Sequence, residues 1–207
     1  MSIKKLSEEE AFGLVGNFVK IPKQKFCESE EEVKNFASLL GFPVVLKAVG
    51  SKIVHKTEIG AVKIARSSEE LNNAIKKLFS IEGCEKILVQ EFVKGIETIL
   101  GIKKDETFGY IVLFGLGGIY TEIFKDISLR VCPVTSEDAK EMLHELKAGK
   151  IFEGFRGIKV NKDEIINAIV GASKLAVEKD IVEMDINPLI CNANSCFAVD
   201  VRIFVQG

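Results

Sequence analysis

The chain alternates between capped, amphipathic helical segments and short runs of β-branched and aromatic residues, and this alternation restricts its fold most. Five segments begin with Ser, Thr or Asn followed by acidic residues, a pattern typical of helix N-termini: Ser7–Glu10, Ser29–Glu32, Ser67–Glu70, Thr135–Asp138 and Asn161–Glu164. Strand-like runs lie between them: Pro43–Val49, Ala61–Ala65, Ile87–Phe92, Ile96–Lys103, Tyr110–Leu116, Ile119–Phe124, Ile127–Val131, Ile181–Ile186 and Cys196–Phe204. Because several strands follow one another through tight turns, the sequence predicts an α+β fold with mixed or antiparallel sheets rather than a parallel doubly wound sheet.

No Pro-, Gly- or Ser-rich linker and no internal repeat divides the 207 residues. We expect a boundary near Cys84–Lys86. It would separate an N-terminal lobe of residues 1–85, with its leading helical segment, from a C-terminal lobe of residues 86–207. Nucleotide sites commonly lie in clefts between such lobes.

Composition excludes several classes of protein. With 28 Lys and Arg against 30 Asp and Glu, the chain lacks the basic excess of a nucleic-acid-binding protein. Its apolar runs, such as Ile111–Leu116, are far shorter than the roughly 20 residues that span a bilayer, and Met1–Lys5 is not an apolar signal segment. The five cysteines form no CxxC pair. We therefore expect a cytoplasmic protein with reduced thiols, no zinc site and no membrane segment.

A lysine and a histidine near the end of the first lobe are the first candidates for chemistry. Lys47 lies inside an apolar strand, where an ammonium group is costly unless it meets an anion or water. His55 lies between Lys52 and Lys56 in a loop bounded by glycines. Neighbouring positive charge disfavours the imidazolium form, which leaves a neutral, nucleophilic ring. The other histidine, His144, is typical of a helix surface.

Three further patterns suggest ligand contacts. Glu91 and Glu97 flank a glycine-containing bend where backbone groups would meet an adenine edge and a carboxylate would meet ribose hydroxyls. The run Phe114–Tyr120 is glycine-rich but lacks the context of a P-loop or a dinucleotide-binding turn, so it indicates a close backbone approach to a phosphoryl group or a partner loop. Downstream, Lys125 and Arg130 add positive charge.

The C-terminal strands carry a polar face. Alternation places Glu183, Asp185 and Asn187 on one side, and the turn Asn192–Ser195 predicts a hairpin that brings Asn187 near Asp200. Amide and carboxylate oxygens are hard ligands suited to Mg²⁺, which completes its octahedron with phosphates and water. A polar sheet face without a metal is the alternative.

In combination, seven segments resemble the ATP-grasp β subunit of ADP-forming acetyl-CoA synthetase (acetate–CoA ligase), a relative of succinyl-CoA synthetase. They are Pro43–Lys47, Val54–Gly60, Val89–Glu91, Phe114–Ile119, Lys125–Arg130, Glu153–Gly157 and Asp185–Leu189. The resemblance covers essentially the whole chain. It implies an ATP-grasp fold with nucleotide between two lobes, and the reversible conversion of acyl-CoA, ADP and phosphate into acid, CoA and ATP.

The resemblance also implies roles for individual residues. His55 matches the histidine that relays phosphate from a CoA-binding α subunit to ADP, so it is the catalytic candidate, with an α2β2 heterotetramer as the expected assembly. ATP or ADP would contact residues matching Lys47 (phosphate), Glu91 and Val93 (adenine side) and Glu97 (ribose). Gly117, Gly118, Lys125 and Arg130 match family motifs. Asn187 and Asp200 match the two Mg²⁺ ligands.

Two alternatives stay open. One is an ATP-grasp ligase that joins an acyl phosphate directly to an amine or thiol, and the other is a non-catalytic nucleotide-sensing module. The chain departs from the family pattern at Ala61, where relatives often have a second glycine after Gly60.

Overall fold

The computed structural model describes residues 2–50, 53, 60–118 and 125–207. The chain forms two compact units: unit 1 comprises Met1–Ile21 and Lys94–Gly207, and unit 2 comprises Pro22–Val93. In chain order the described elements are β1 (Ile3–Lys5), α1 (Glu8–Val15), β2 (Gln24–Cys27), α2 (Glu30–Leu40), β3 (Val44–Val49), β4 (Val62–Ala65), α3 (Ser68–Phe79), β5 (Lys86–Glu91), β6 (Ile96–Asp105), β7 (Gly109–Leu116), β8 (Ile127–Val131), α4 (Ser136–Glu145), α5 (Lys162–Glu178), β9 (Ile181–Cys191), β10 (Cys196–Ala198) and β11 (Val201–Gln206). Two short 3₁₀ helices, Gly149–Glu153 and Phe155–Gly157, lie between α4 and α5.

The predicted helix starts are confirmed by side-chain caps. The Ser7 hydroxyl accepts the Glu10 N–H at 3.2 Å, and Glu10 accepts the Ser7 N–H at 2.8 Å, which forms a complete capping box. Helix α2 differs slightly. There the Glu32 carboxylate accepts the N–H of Glu28, the residue before the N-cap, at 2.8 Å. Each arrangement satisfies backbone donors that a helix start otherwise leaves unpaired.

Unit 2 is an antiparallel sheet packed on two helices. Its described strands have the order β2-β5-β3-β4. One face of this sheet packs against α2 and α3 through buried aliphatic side chains, among them Val44, Leu46, Ala48, Ile75, Leu78, Ile87 and Val89. Lys47 alternates with these residues along β3, so its side chain belongs to the opposite face.

Unit 1 contains a larger antiparallel sheet. The described strands run in the order β1-β11-β9-β6-β7-β8, with β10 also paired to β9. Helix α5 packs on β6, β7 and β9, and α4 packs on β8. The residues of β6 and β9 that alternate inward, Leu100, Ile102, Met184 and Ile186, are almost fully buried. The polar residues of β9 therefore lie on the face away from these buried side chains.

The observed division of the chain differs from the predicted lobes of residues 1–85 and 86–207. The first 21 residues belong with the C-terminal part, because β1 pairs with β11 and α1 packs on β11. Strand β5 belongs to unit 2, because it pairs with both β2 and β3. The unit boundary therefore lies after Val93 rather than at residue 85.

Most predicted strands are present, with changed ends. Strand β9 continues past Ile186 to Cys191, where it pairs with β10 and β6. The predicted run Cys196–Phe204 is divided into β10 and β11. Predicted strand Ile119–Phe124 lies outside the described residues. None of the helices in the described ranges combines the length and apolar character needed to cross a bilayer.

Replacing either of two helical glycines by alanine should change stability, but in opposite directions. A Cβ at Gly171 in α5 would lie 2.3 Å from the Cβ of Phe18, whereas a Cβ at Gly13 in α1 would meet no atom within 4 Å. Gly13→Ala should therefore raise the free energy of unfolding by about 1 kcal/mol through helix propensity. Gly171→Ala should lower the free energy of unfolding by about 2 kcal/mol, because the clash with Phe18 costs more than the helix propensity of alanine gains. Urea unfolding of both variants checks this, and stabilisation by Gly171→Ala would contradict the packing of Phe18 on α5.

Candidate functional site

Unit 1 contains a cavity of about 380 Å³ between the start of β6 and the end of β7. Its lining residues are mostly aliphatic or glycine, with one carboxylate: Ile96, Glu97, Leu116, Gly117, Gly118, Ile151 and Ile158. Apolar walls with one or two polar groups are typical of sites for small molecules that have an apolar body and hydrogen-bond donors. The structure thus brings together three predicted site residues, Glu97, Gly117 and Gly118.

The two glycines are required by their approach to Glu97. The N–H of Gly117 donates to the Glu97 carbonyl oxygen at 2.8 Å, and a Cβ on Gly117 would lie only 3.1 Å from that oxygen. Gly118 has a φ of +61°, which disfavours residues with a side chain, and a Cβ there would lie 3.8 Å from Oε2 of Glu97. A side chain at position 117 would press on the backbone of Glu97, and one at position 118 would be strained by its φ and would contact the carboxylate. The glycines therefore keep the cavity open beside it.

Asn187 and Asp200 are neighbours on adjacent strands of unit 1. The N–H of Asn187 donates to the Asp200 carbonyl oxygen at 3.1 Å, and the flanking residues Ile186 and Val201 are partners in the register. Their side chains belong to the face opposite Ile186. The predicted hairpin at Asn192–Ser195 is confirmed, since Cys191 pairs with Cys196.

The surroundings of this pair are acidic. Burial is the main cause that raises the pKa of Asp185; Arg202 lowers this pKa, while Asp200 and Glu183 raise it. Three carboxyl groups, those of Asp185, Asp200 and Glu183, therefore lie near one another, and the Arg202 guanidinium offsets part of their charge. Within the described residues, no group of three or more His, Cys, Asp or Glu side chains is arranged to hold a metal ion. The oxygen donors fit Mg²⁺ that takes its other ligands from phosphate and water.

The predicted residues of unit 2 are placed on β3 and β5. Lys47 is 5% exposed and pairs in register with Leu88 on β5. Glu91 ends β5; its N–H donates to the Lys23 carbonyl oxygen at 2.8 Å and its carboxylate accepts the Lys23 N–H at 3.3 Å. Val93 is the last residue of unit 2. His55 lies outside the described residues.

Arg130 has a structural role that sequence reasoning did not predict. Its guanidinium forms a two-point ion pair with Glu145 of α4, at 2.5 Å and 2.9 Å, and lies 3.5 Å from Glu141. Ser128 donates to the same Glu145 carboxylate at 2.6 Å. This geometry attaches α4 to β8, and the predicted cofactor contact of Arg130 stays a prediction. Lys125 is exposed, with a φ of +46°, and its role stays a prediction.

This ion pair predicts a pH-dependent contribution to stability. Hydrogen bonds from Arg130 and Ser128 lower the pKa of Glu145 from 4.5 to about 2. A lowered pKa means that the contribution is present above pH 4.5 and is lost as pH falls towards 2. Since the pair is half-exposed, Glu145→Gln should lower the free energy of unfolding at pH 7 by about 1 kcal/mol.

Urea unfolding at several pH values measures this effect. The difference between Glu145→Gln and the parent chain should shrink between pH 4.5 and 2. Glu141→Gln is the matched control, because Glu141 is more exposed and makes a longer contact with Arg130. An unchanged difference down to pH 2 would contradict the assigned ion pair.

Sequence reasoning missed part of the cavity wall and its support. Ile151 and Ile158 line the cavity from the segment that contains both 3₁₀ helices. Asp126, which is 4% exposed, binds the start of that segment. The concentration of glycines at 149, 154 and 157 was the available signal for an irregular, closely packed segment.

Comparisons with known proteins agree with this architecture. Residues 2–205 match the sequence profile of the ATP-grasp domain family. The β subunit of acetate–CoA ligase (ADP-forming) I from Pyrococcus furiosus is 39% identical over 198 residues, which cover 90% of this chain and 85% of the subunit. Acetate–CoA ligase (ADP-forming) II from Archaeoglobus fulgidus is 37% identical over 203 residues; the match covers 97% of this chain but 30% of that protein.

Solved structures give the same result. Dinucleotide-forming acetyl-coenzyme A synthetase 1 of Candidatus Korarchaeum cryptofilum, in complex with coenzyme A and Ca-AMPCP, superposes with a TM-score of 0.92 and 40% identity, covering 98% of this chain and 94% of that chain. A complex of the same enzyme with coenzyme A and Mg-AMPPCP, described with its phosphohistidine segment pointing towards the nucleotide-binding site, has a TM-score of 0.84. The predicted ATP-grasp fold is thus confirmed, and the chain belongs to the ATP-grasp domain family, among the ATP-grasp regions of ADP-forming acetate–CoA ligases.

Proposed function

We propose that the chain is the nucleotide-binding β part of an ADP-forming acyl-CoA synthetase. In this function it passes a phosphoryl group, through His55, between a CoA-binding α part and ADP. The observation that carries the proposal is the cavity in which Gly117 and Gly118 lie against the carboxylate-bearing Glu97. Its size and mixed lining suit part of a nucleoside, with aliphatic walls for the apolar body and a carboxylate for hydroxyl donors.

The predicted site residues are assigned to parts of the nucleotide. Glu97 accepts hydrogen bonds from ribose hydroxyls, and the backbone at Gly117 and Gly118 lies beside it. Lys47 binds phosphate oxygens, while Glu91 and Val93 supply backbone groups to the adenine edge. Lys125 is a further candidate for phosphate contact.

Asn187 and Asp200 are assigned to hold Mg²⁺. The ion would neutralise negative charge on the phosphoryl oxygens during in-line transfer. Two oxygen ligands from the protein leave positions for phosphate and water, which matches the way Mg²⁺ is usually bound.

His55 is assigned as the nucleophile. Its neutral ring nitrogen attacks the phosphoryl group delivered by the α part; a nitrogen–phosphorus bond forms as the bond to the donor breaks. A terminal phosphate oxygen of ADP then attacks phosphohistidine, which forms ATP and regenerates His55. Dividing the transfer in this way lets each step occur at contact distance. The Korarchaeum enzyme, whose phosphohistidine segment is described as pointing towards the nucleotide site, supports this assignment.

A CoA-binding α partner is part of the proposal. The Pyrococcus relative is named as a subunit β, and this chain matches 30% of the longer Archaeoglobus ligase. We infer that CoA and acid bind mainly on the partner. The proposed assembly is an α2β2 heterotetramer. Its proposed location is the cytoplasm.

Reconstitution tests the proposed function. The purified chain, mixed with a CoA-binding α subunit, acetyl-CoA, ADP, Mg²⁺ and inorganic phosphate, should produce ATP that luciferase detects, and omission of either protein should abolish it. Amine-dependent release of ADP from ATP without the α subunit would instead support a direct ligase. Nucleotide binding without any phosphoryl exchange, with the α subunit present, would support a sensing module.

A further inference from the structure

Asp126 is a buried carboxylate that makes two backbone contacts. It lies between Lys125 and β8 and is 4% exposed. Its Oδ1 accepts the N–H of Lys147 at 2.8 Å, and its Oδ2 accepts the N–H of Ala148 at 2.9 Å. A buried carboxylate is costly unless donors compensate for lost water, and these two N–H groups do so. Asp126 therefore attaches residues 147–148 to the start of β8.

The attached residues lead directly into the cavity wall. Ala148 precedes the 3₁₀ helix Gly149–Glu153, whose Ile151 lines the cavity. The neighbouring Phe152 is buried and packs against Phe114 of β7, with ring centroids 6.0 Å apart. One polar and one apolar contact thus hold the same short helix against the sheet.

The backbone of Asp126 also lies against β7, the strand that leads to Gly117. A Cβ on Gly115 would lie 2.5 Å from the Asp126 carbonyl oxygen, so the absence of a side chain on Gly115 lets the backbone at Asp126 lie directly against β7. Two residues later β7 leads to Gly117, which lines the cavity beside Glu97. Asp126 therefore contacts the elements that carry both walls, although it is absent from the lining itself.

We propose that Asp126 is a positioning residue for the nucleotide cavity: it sets the distance between the wall carrying Ile151 and the wall carrying Gly117. This inference rests on the proposed function, because it assumes that the cavity receives part of the nucleotide. Asp126 contacts no reacting group in this role. Its loss should weaken nucleotide binding by leaving the wall to be ordered when the ligand arrives.

Asp126→Asn tests the inference with little change in volume. An amide offers one oxygen acceptor, so one of the two N–H groups loses its partner. We expect the Kd for Mg·ADP, measured by calorimetry on the full chain, to rise about tenfold. In the complex with the α subunit, the KM for ADP should rise similarly while kcat changes less than about twofold, because no reacting group is removed.

Asp180→Asn is the matched control. Asp180 accepts hydrogen bonds from Lys104 at 2.5 Å and from the Tyr110 hydroxyl, at the hairpin end of β6 and β7, away from the cavity residues of the same strands. It should leave the Kd for Mg·ADP unchanged. If Asp126→Asn binds Mg·ADP as tightly as the parent chain, the inference is wrong and the proposed function stands. If the parent chain itself binds no Mg·ADP, the proposed function fails.

Hydrogen exchange on the parent chain gives a second test, which does not depend on whether Asp126→Asn folds. Without nucleotide, the amides of Lys147 and Ala148 should already exchange slowly, because Asp126 accepts both hydrogen bonds. Exchange of these two amides as fast as in an unstructured peptide would overturn the inference even if Asp126→Asn proves too unstable to purify.

Discussion

Replacing Asp200 by asparagine should weaken Mg²⁺-dependent binding of ADP by about a hundredfold. Asp200 supplies the negative charge of the proposed ligand pair, and Asn187, its neighbour on β9, supplies only an amide dipole. The substitution preserves shape and removes the charge that attracts the cation. Calorimetry with Mg·ADP, and with ADP in EDTA, separates this effect from any contact between protein and nucleotide. Binding in EDTA should be nearly the same for variant and parent.

Glu183→Gln is the control for Asp200→Asn. Glu183 lies on the same strand face and also affects the pKa of Asp185, but it is more distant from Asn187 in the register. Removing this charge should change Mg·ADP binding less than about threefold. Equal losses for the two variants would show that overall acidity attracts the ion, and would contradict a specific site at Asn187 and Asp200.

Replacing His55 by asparagine should lower acyl-CoA-dependent ATP synthesis by at least about a thousandfold. Asparagine keeps a polar side chain but has no nitrogen that can accept a phosphoryl group. Binding of Mg·ADP should be retained, since Glu97, Asn187 and Asp200 are unchanged. The measurement is luciferase-detected ATP formation by the complex with the α subunit, combined with calorimetry of the chain alone.

His144→Asn is the control for His55→Asn, because these are the two histidines of the chain. His144 lies exposed on α4, where its Nδ1 is 3.8 Å from Glu153. ATP synthesis by this variant should equal that of the parent chain. Full activity of His55→Asn would remove His55 from the mechanism, and strong loss in His144→Asn would assign the relay to the other histidine.

Most helices and strands were predictable, because residues close together in the sequence determine them. Helix starts were recognised from Ser7, Thr135 and similar caps, whose partners lie three residues away. Strands such as Ile127–Val131 were recognised from β-branched and apolar runs. The short strands β1 and β2 were missed, since three or four polar-rich residues carry too little pattern; their pairing with β11 and β5 determines that they are strands.

The division into units could not be predicted from the same patterns. It depends on pairing between Ile3–Lys5 and Phe204–Gln206, at opposite ends of the chain. The chain passes from unit 1 to unit 2 after Ile21 and returns after Val93, and neither position has the Gly-, Pro- or Ser-rich composition of a linker. Long-range pairing thus decided the boundary, and the predicted position at residue 85 followed only the local spacing of elements.

The candidate site was predictable where residue chemistry and strand alternation agreed. The hairpin at Asn192–Ser195 correctly placed Asn187 beside Asp200. The structural role of Arg130 was not predicted, because its partner Glu145 lies on a helix whose packing is not visible in sequence. Asp126 was missed for the same reason, since its partners are backbone N–H groups about 20 residues away.

Locating acid-labile phosphate is the most direct test of the proposed relay. The full chain, its CoA-binding partner, Mg²⁺ and γ-labelled ATP are incubated, and peptides are mapped by mass spectrometry without exposure to acid. We expect phosphate in this chain on His55, and its loss when ADP is added. Phosphate on a different residue, or none on this chain while the complex turns over, would contradict the central role of His55.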